Sequence, residues 1–214
     1  MYTNLNPTKA LIWRIVHRDN LPWIFDNGLH CANSSVQAPS YVAIGNQDLI
    51  NRRKYRDVPI APNGTLADYV PFYFTPFSPM MYNIYTGRGE VPKRRNEDIC
   101  ILVSSLYHVQ SAALQFIFTD RHAYTYLARY FNNIAQLNEI DWPLLQARNF
   151  KRNPDDPEQI ERYQAEALVY GYLPIGALLG IVCYTKDVKL MLDVEIQNRG
   201  LTLDIKVIPE WYFQ

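Results

Sequence analysis

One carboxylate inside an apolar strand pattern constrains this chain more than any other feature. The stretch from Glu161 to Thr185, ERYQAEALVYGYLPIGALLGIVCYT, reads with period two around Glu166. Gln164, Glu166 and Leu168 fall on one face of an extended strand, and Ala165, Ala167 and Val169 on the other. Glu166 thus occupies a position where a sheet normally buries something apolar or small. A carboxylate there is costly unless it is paired or has a chemical task. The ordinary outcome is a strand-end glutamate that reaches solvent or an arginine. Two features argue for more: a charged loop precedes the strand, and basic clusters elsewhere lack obvious acidic partners.

The 214 residues suit one domain spanning 1–214. Twenty-one basic residues balance 21 acidic ones, which argues against a protein that coats nucleic acid by bulk charge. A local basic groove is still compatible with that balance. Sixteen tyrosines and four tryptophans supply stacking surfaces as well as core. Cys31, Cys100 and Cys183 are scattered and odd in number, and His17, His30, His108 and His122 show no paired-ligand spacing. The reading is reduced thiols, a cytoplasmic protein and no metal. The N-terminal MYTNLNPTKA lacks the sections of a signal peptide, and no apolar run is long enough to span a membrane.

Along the chain, ALIWRIVH (10–17) reads as a strand. Asp19 then opens a short helix as its cap, with Pro22 in the first turn and Gly28 ending it. His17, at the strand end, is as suited to capping or packing as to touching a ligand. Residues 31–68 show little periodicity and read as a long loop carrying Arg52, Arg53, Lys54 and Arg56. That run is either a solvated charge cluster or a flap whose arginines meet phosphates. YVPFYFT (69–75) is strand-like, with Pro71 implying an edge strand or a bulge. Ser78 and Pro79 start a helix that stops at Gly87. Tyr73, Phe77, Met80 and Tyr82 form core or an aromatic wall. RGEVPKRRNED (88–98) is a basic hairpin or loop, and ICILVSS (99–105) and QFIFTD (115–120) are strands. HAYTYLARYFNNIAQL (122–137) has helical apolar spacing. The segment 141–162 is broken by prolines and charged. GIVCYT (180–185), a helix from Lys186 to about Asn198, and LTLDIKVIP (201–209) close the domain. The class is α+β, without the βαβ rhythm, GxGxxG or P-loop of a doubly wound nucleotide fold.

IVHRDNLPWIFDNGLHC, NRR, GTLADYVPFYFTPFSPMMY, FTDRHAY, DWPLLQAR, RYQAEALV and the WYF ending follow one another in the order found in a known family. Together they span nearly the whole chain, and DYVPFYFTPFSPM with RYQAE downstream is a specific pair. The chain resembles DarT, the DNA ADP-ribosyltransferase toxin of DarT–DarG toxin–antitoxin systems, and most resembles its thymine-modifying branch. The resemblance implies an ADP-ribosyltransferase fold: two small, mostly antiparallel sheets around an NAD cleft, with flanking helices. It implies transfer of ADP-ribose from NAD+ to a thymine base in single-stranded DNA, release of nicotinamide, and a block to replication. It assigns catalysis to Glu166 and Arg53, and cofactor contacts to His17, Asn20, Tyr73 and Met80. His122 falls near the reacting centre. One position departs from the pattern: some relatives carry YHITH where this chain has WRIVH, so Arg14 replaces a histidine and becomes a candidate NAD contact. The resemblance also implies a DarG-type macrodomain antitoxin as partner; a monomer is the default.

These residue types suit the chemistry. Losing nicotinamide leaves an oxocarbenium-like ribose, as in glycoside hydrolysis, which an anionic Glu166 stabilises. Thymine's ring nitrogen must also shed a proton, to Glu166 or a neighbour. Arg53 either holds the pyrophosphate or polarises a thymine carbonyl. A paired base cannot present that nitrogen, so single strands are the natural substrate. Arg148, Lys151, Arg152 and Arg94 are the candidates for tracking DNA phosphates. The alternatives are another acceptor (guanine in DNA, RNA or protein) and an inactive nucleic-acid-binding module.

Overall fold

The structure is a computed structural model that describes residues 2–214. Ten strands carry it: β1 (Leu11–His17), β2 (Leu29–His30), β3 (Tyr69–Tyr73), β4 (Ile99–Ser105), β5 (Phe116–Thr119), β6 (Tyr130–Phe131), β7 (Glu166–Tyr170), β8 (Tyr172–Leu173), β9 (Gly180–Cys183) and β10 (Asp204–Val207). Eight form one sheet in the order β10-β9-β4-β1-β3-β7-β5-β6, and β2 pairs with β8 as a separate ribbon. All neighbours are antiparallel except β9 and β10. β1 pairs with β4 along its whole length, from Leu11↔Ser105 to His17↔Ile99. β3 pairs with β7 just as fully, from Tyr69↔Tyr170 to Tyr73↔Glu166. Between β1 and β3 there is one pair, Trp13↔Tyr73. The sheet is therefore two halves joined at a point, and their divergence opens a cleft.

Pro71 marks that split. It is not on an edge strand, as the sequence implied, because β3 lies mid-sheet. Its carbonyl accepts from Arg14 across the gap to β1. Within a strand, one residue's carbonyl and nitrogen point the same way. The missing N–H of Pro71 therefore faces the gap, where no ladder needs it.

Seven helices surround the sheet: α1 (Leu21–Asn27), α2 (Gln47–Arg53), α3 (Pro79–Thr86), α4 (Leu106–Ser111), α5 (Trp142–Ala147), α6 (Gln159–Arg162) and α7 (Lys186–Asn198). α3 has the expected ends: Ser78 Oγ accepts from the Met81 amide, and Gly87 is left-handed. α7 starts and stops where its pattern does. At α1 the cap differs. A 3-10 turn over Arg18–Asn20 precedes the helix, and the His17 ring, not Asp19, accepts the first amide.

Two segments depart further from the sequence reading. The 31–68 loop contains α2, which buries no residue and so leaves no apolar period to detect. The segment 122–137 is not a helix but turns, β6 and a 3-10 stretch. Tertiary contacts override its local preference. Asp120 accepts from both the amide and the Nε of Arg129, at 3.0 and 2.9 Å, which folds the segment back on β5. No helix among the described residues is long and apolar enough to cross a membrane.

Gly28 ends α1 at φ +75°, ψ −164°. A Cβ there would meet the Leu173 carbonyl oxygen at 2.8 Å and the Tyr172 ring. Gly28→Ala is expected to lower unfolding free energy by about 1–3 kcal/mol in urea titration, through both the dihedral and the contact with β8.

Candidate active site

The elements around the split bring Glu166 and Arg53 together. Glu166 opens β7, and its amide donates to Thr119 Oγ1 on β5 at 3.3 Å. The Thr119 hydroxyl in turn donates to the Arg121 carbonyl at 2.6 Å, which fixes the turn after β5. Only 2% of Glu166 is exposed. Its Oε1 accepts from the Ala123 amide at 3.0 Å and from Arg53 Nη1 at 3.2 Å. Arg53 Nη2 lies 3.0 Å from Oε2 but off the hydrogen-bonding direction, so this second contact is one of charge alone. Burial pushes the Glu166 carboxyl up, but the adjacent Arg53 charge and the donated hydrogen bonds outweigh it and hold the group below the usual carboxylate range. Burial likewise opposes the charge on Arg53, and Glu166 more than restores it.

His122 is the third member. Its Nδ1 accepts from the Tyr124 amide at 3.1 Å, so that nitrogen carries no proton and the ring is neutral with its hydrogen on Nε2. Nδ1 is 3.6 Å from Glu166 Oε1, a proximity without a hydrogen bond. Burial lowers the His122 pKa, which keeps the ring neutral. Tyr73 pairs directly with Glu166 across β3 and β7, and its hydroxyl points to Met80 Sδ at 3.8 Å. Burial raises the Tyr73 pKa, so the phenol stays protonated.

Two adjoining cavities fill the cleft. One, about 170 Å³, is lined by Glu166, Arg53, His122, Tyr73 and Met80. The other, about 290 Å³, is lined by Trp23, His30, Gln37 and Tyr69. Arg14, Tyr41, Ala43, Ile50, Arg53 and Pro71 line both. Arg14 thus stands at the junction. Its Nη1 donates to Pro71 O at 2.8 Å, while its Nε is buried without a partner. The mostly apolar walls with cationic arginines at the junction suit an elongated, anionic, ring-bearing ligand such as NAD+.

The structure separates the other candidates from this cluster. His17 and Asn20 line neither cavity. Nδ1 of His17 accepts from the Asp19 amide at 3.3 Å. The Asn20 amide group pairs with Val42, donating to its carbonyl at 2.9 Å and accepting from its N–H at 2.8 Å. Asn20 therefore anchors the cleft-lining segment around Tyr41–Ala43. The Arg148 guanidinium lies 3.3 Å above the Phe77 ring centre and packs on that wall. Lys151 and Arg152 are exposed on the loop after α5. Arg94 lies on a separate shallow groove with Lys93 and Arg95, which shares no residue with the cleft.

Several site groups carried no readable signal. The backbone amides of Ala123 and Tyr124 act regardless of side chain. Tyr41 sits in an aperiodic stretch. Only α2 had a cue: Asn46, whose side chain accepts from the Leu49 amide at 2.8 Å, is a good helix cap.

The family model described as "ssDNA thymidine ADP-ribosyltransferase, DarT" matches residues 13–213. The chain belongs to the DarT family. It is 55% identical to a DNA ADP-ribosyl transferase of Escherichia coli O127:H6 (strain E2348/69 / EPEC), over 98% of this chain and 96% of that protein. It is similar to the solved structure of Thermus sp. 2.9 DarT in complex with ADP-ribosylated ssDNA, with a TM-score of 0.87 and 36% identity, covering 97% of this chain and 98% of that one. It is also similar to Thermus sp. 2.9 DarT in complex with NAD+, with a TM-score of 0.83 and 33% identity, over 96% and 98% of the two chains. The match to DarT takes in both sheet halves and every residue of the cluster around Glu166.

His17, which is buried, and His122, which is largely so, give stability a pH dependence. Burial lowers the pKa of both His17 and His122 below the ordinary 6.5. Near that value the unfolded chain binds protons that the folded chain does not, so their contribution is present above pH 6.5 and is lost as pH falls. The urea midpoint is expected to fall from pH 7 to pH 5, and His122→Gln to flatten that slope.

Proposed function

We propose that this chain transfers ADP-ribose from NAD+ to a thymine base in single-stranded DNA, with residues 1–214 acting as one catalytic unit. The observation that carries the reading is the buried Glu166–Arg53 pair at the wall of an apolar cleft, with neutral His122 beside it. It is supported by the relatives' NAD+ and ADP-ribosylated ssDNA complexes.

Cleavage of the ribose–nicotinamide bond sends its electron pair to nicotinamide, which leaves neutral. Positive charge builds on the ribose, where the Glu166 anion stabilises it. The thymine ring nitrogen bonds to that carbon and gives up its proton. Glu166 is the acceptor: His122 Nδ1 already accepts from an amide, and its other nitrogen carries a hydrogen, so His122 is a donor rather than a base. Arg53 reaches the reacting centre through Glu166 and is placed to polarise a thymine carbonyl as the proton leaves. Arg14, with an unpartnered Nε at the cavity junction, takes the NAD+ pyrophosphate instead. Tyr73 and Met80 wall the ring-binding part of the cleft, and His17 and Asn20 act on NAD+ only by ordering its walls.

The exposed Lys151 and Arg152 meet DNA phosphates, with Arg94 a more distant contact. Arg148 contributes mainly by packing. A DarG-type macrodomain protein that removes the ADP-ribose is the expected partner.

Glu166→Gln keeps the shape and the bond from Ala123 but loses the charge. It is expected to cut transfer to a thymine-containing oligonucleotide at least about a hundredfold, read as the mass gain of one ADP-ribose, while circular dichroism stays native. Transfer at wild-type rate, or equal gain on thymine-free strands, would refute the assignment. Separately, Arg152→Ala should weaken oligonucleotide binding and reduce its salt slope by about 1, with NAD+ affinity unchanged. Anisotropy titrations at several salt concentrations check this.

A further inference from the structure

Two uncovered tyrosines follow in sequence on the groups that hold Glu166. Tyr55 is 86% exposed and Tyr126 is 92% exposed. Each follows closely on a group that holds Glu166: Tyr55 lies two residues after Arg53, and Tyr126 three after Ala123. At no more than about 3.6 Å of chain per residue, the Cα atoms of Tyr55 and Tyr126 lie within roughly 11 Å of those of Arg53 and Ala123. Arg56 ties the two arms together. Its Nη2 donates to the Thr125 carbonyl at 2.9 Å, and its guanidinium lies 4.8 Å from the Tyr126 ring centre. The Arg56 Nε is buried without a partner. Neither tyrosine hydroxyl makes a hydrogen bond among the described residues, so the Arg56 contact with the Tyr126 ring is the one polar interaction of either side chain among them. Exposed Lys54 adjoins Tyr55.

We propose that Tyr55 and Tyr126 are stacking platforms for the bases that flank the target thymine. Arg56 holds the Tyr126 ring on one face and leaves the other open, and Lys54 and Arg56 supply positive charge for the strand's phosphates. Flat aromatic faces interleaved with cations match single-stranded DNA, whose bases expose faces that a duplex hides. The platform also solves a geometric problem. Glu166 is buried, so the target base must leave its stack to reach it, and the neighbours then need new partners. This inference rests on the DNA reading above.

The test uses the full chain, NAD+ and an oligonucleotide with one central thymine. Tyr126→Leu and Tyr55→Leu should each raise the KM for that strand roughly tenfold, with kcat and the KM for NAD+ unchanged. Tyr126→Phe should behave as wild type, because the ring and not the hydroxyl is used. With abasic sites flanking the thymine, wild type and the Leu variants should converge, an outcome that a merely structural tyrosine would not give. Wild-type KM in both Leu variants, loss in Tyr126→Phe equal to that in Tyr126→Leu, or an undiminished gap on the abasic strand would each overturn the platform. Failure of the wild-type chain to modify any thymine strand would instead overturn the DNA reading and the platform with it.

Discussion

Glu166 and Arg53 bury opposite charges against each other, and the rest of the cleft is arranged around that contact. Neither is stable there alone. Removing one partner of a buried pair typically costs about 3–5 kcal/mol because the other charge stays behind. The pair also spans 113 positions of sequence, linking the end of α2 to the start of β7. It therefore fixes an otherwise unburied helix against the sheet. A purely apolar contact would do this as well or better for stability. The ionic one is consistent with a site that must present a carboxylate held in its charged form, away from water.

The cleft itself follows from an incomplete sheet. β1 and β3 meet at Trp13↔Tyr73 and then separate, leaving Pro71 without an amide to satisfy and Arg14 to bridge the gap. A proline within a ladder would be a defect; at a split it is a fit. Arg14 does what a histidine at that position could not do as well. Its long stem crosses to Pro71 O, and its guanidinium has further donors for a ligand.

Side-chain period and cap chemistry made the strands and the main helices legible. β1, β4, β5, β7, β9, α3 and α7 all stand close to where the pattern puts them, because each buries a face or carries a recognisable end. What stayed hidden was structure set by tertiary contact. α2 buries no residue, so its sequence had no amphipathic period. The segment after His122 had that period but is folded back by Asp120 and Arg129. The site divided in the same way. The sequence singled out Glu166 as an anomalous charge in an apolar strand, while its pairing with Arg53 is visible only in the fold. The hydrogen bond from Ala123 is a backbone contact with no residue preference. Asn20 shows the opposite case: its family position pointed to NAD+, whereas its amide is engaged by Val42.

A protein with no net charge has little long-range attraction for DNA, so its selectivity must arise at close range. The geometry favours that. The anionic Glu166 is 2% exposed, and the nearest cation, Arg53, is already paired with it. A phosphate backbone cannot approach this pair without displacing one charge from the other. A neutral, flat base can enter the apolar part of the cleft at a much smaller electrostatic cost. On the proposed reading, its ring N–H offers Glu166 a donor while its carbonyl offers Arg53 an acceptor, so the two protein charges would exchange one partner for another rather than lose one. The exposed cations Lys151 and Arg152 lie outside the cleft, on the loop after α5. The closed charge pair thus disfavours a phosphate at the reacting centre and leaves the apolar part of the cleft to a neutral ring.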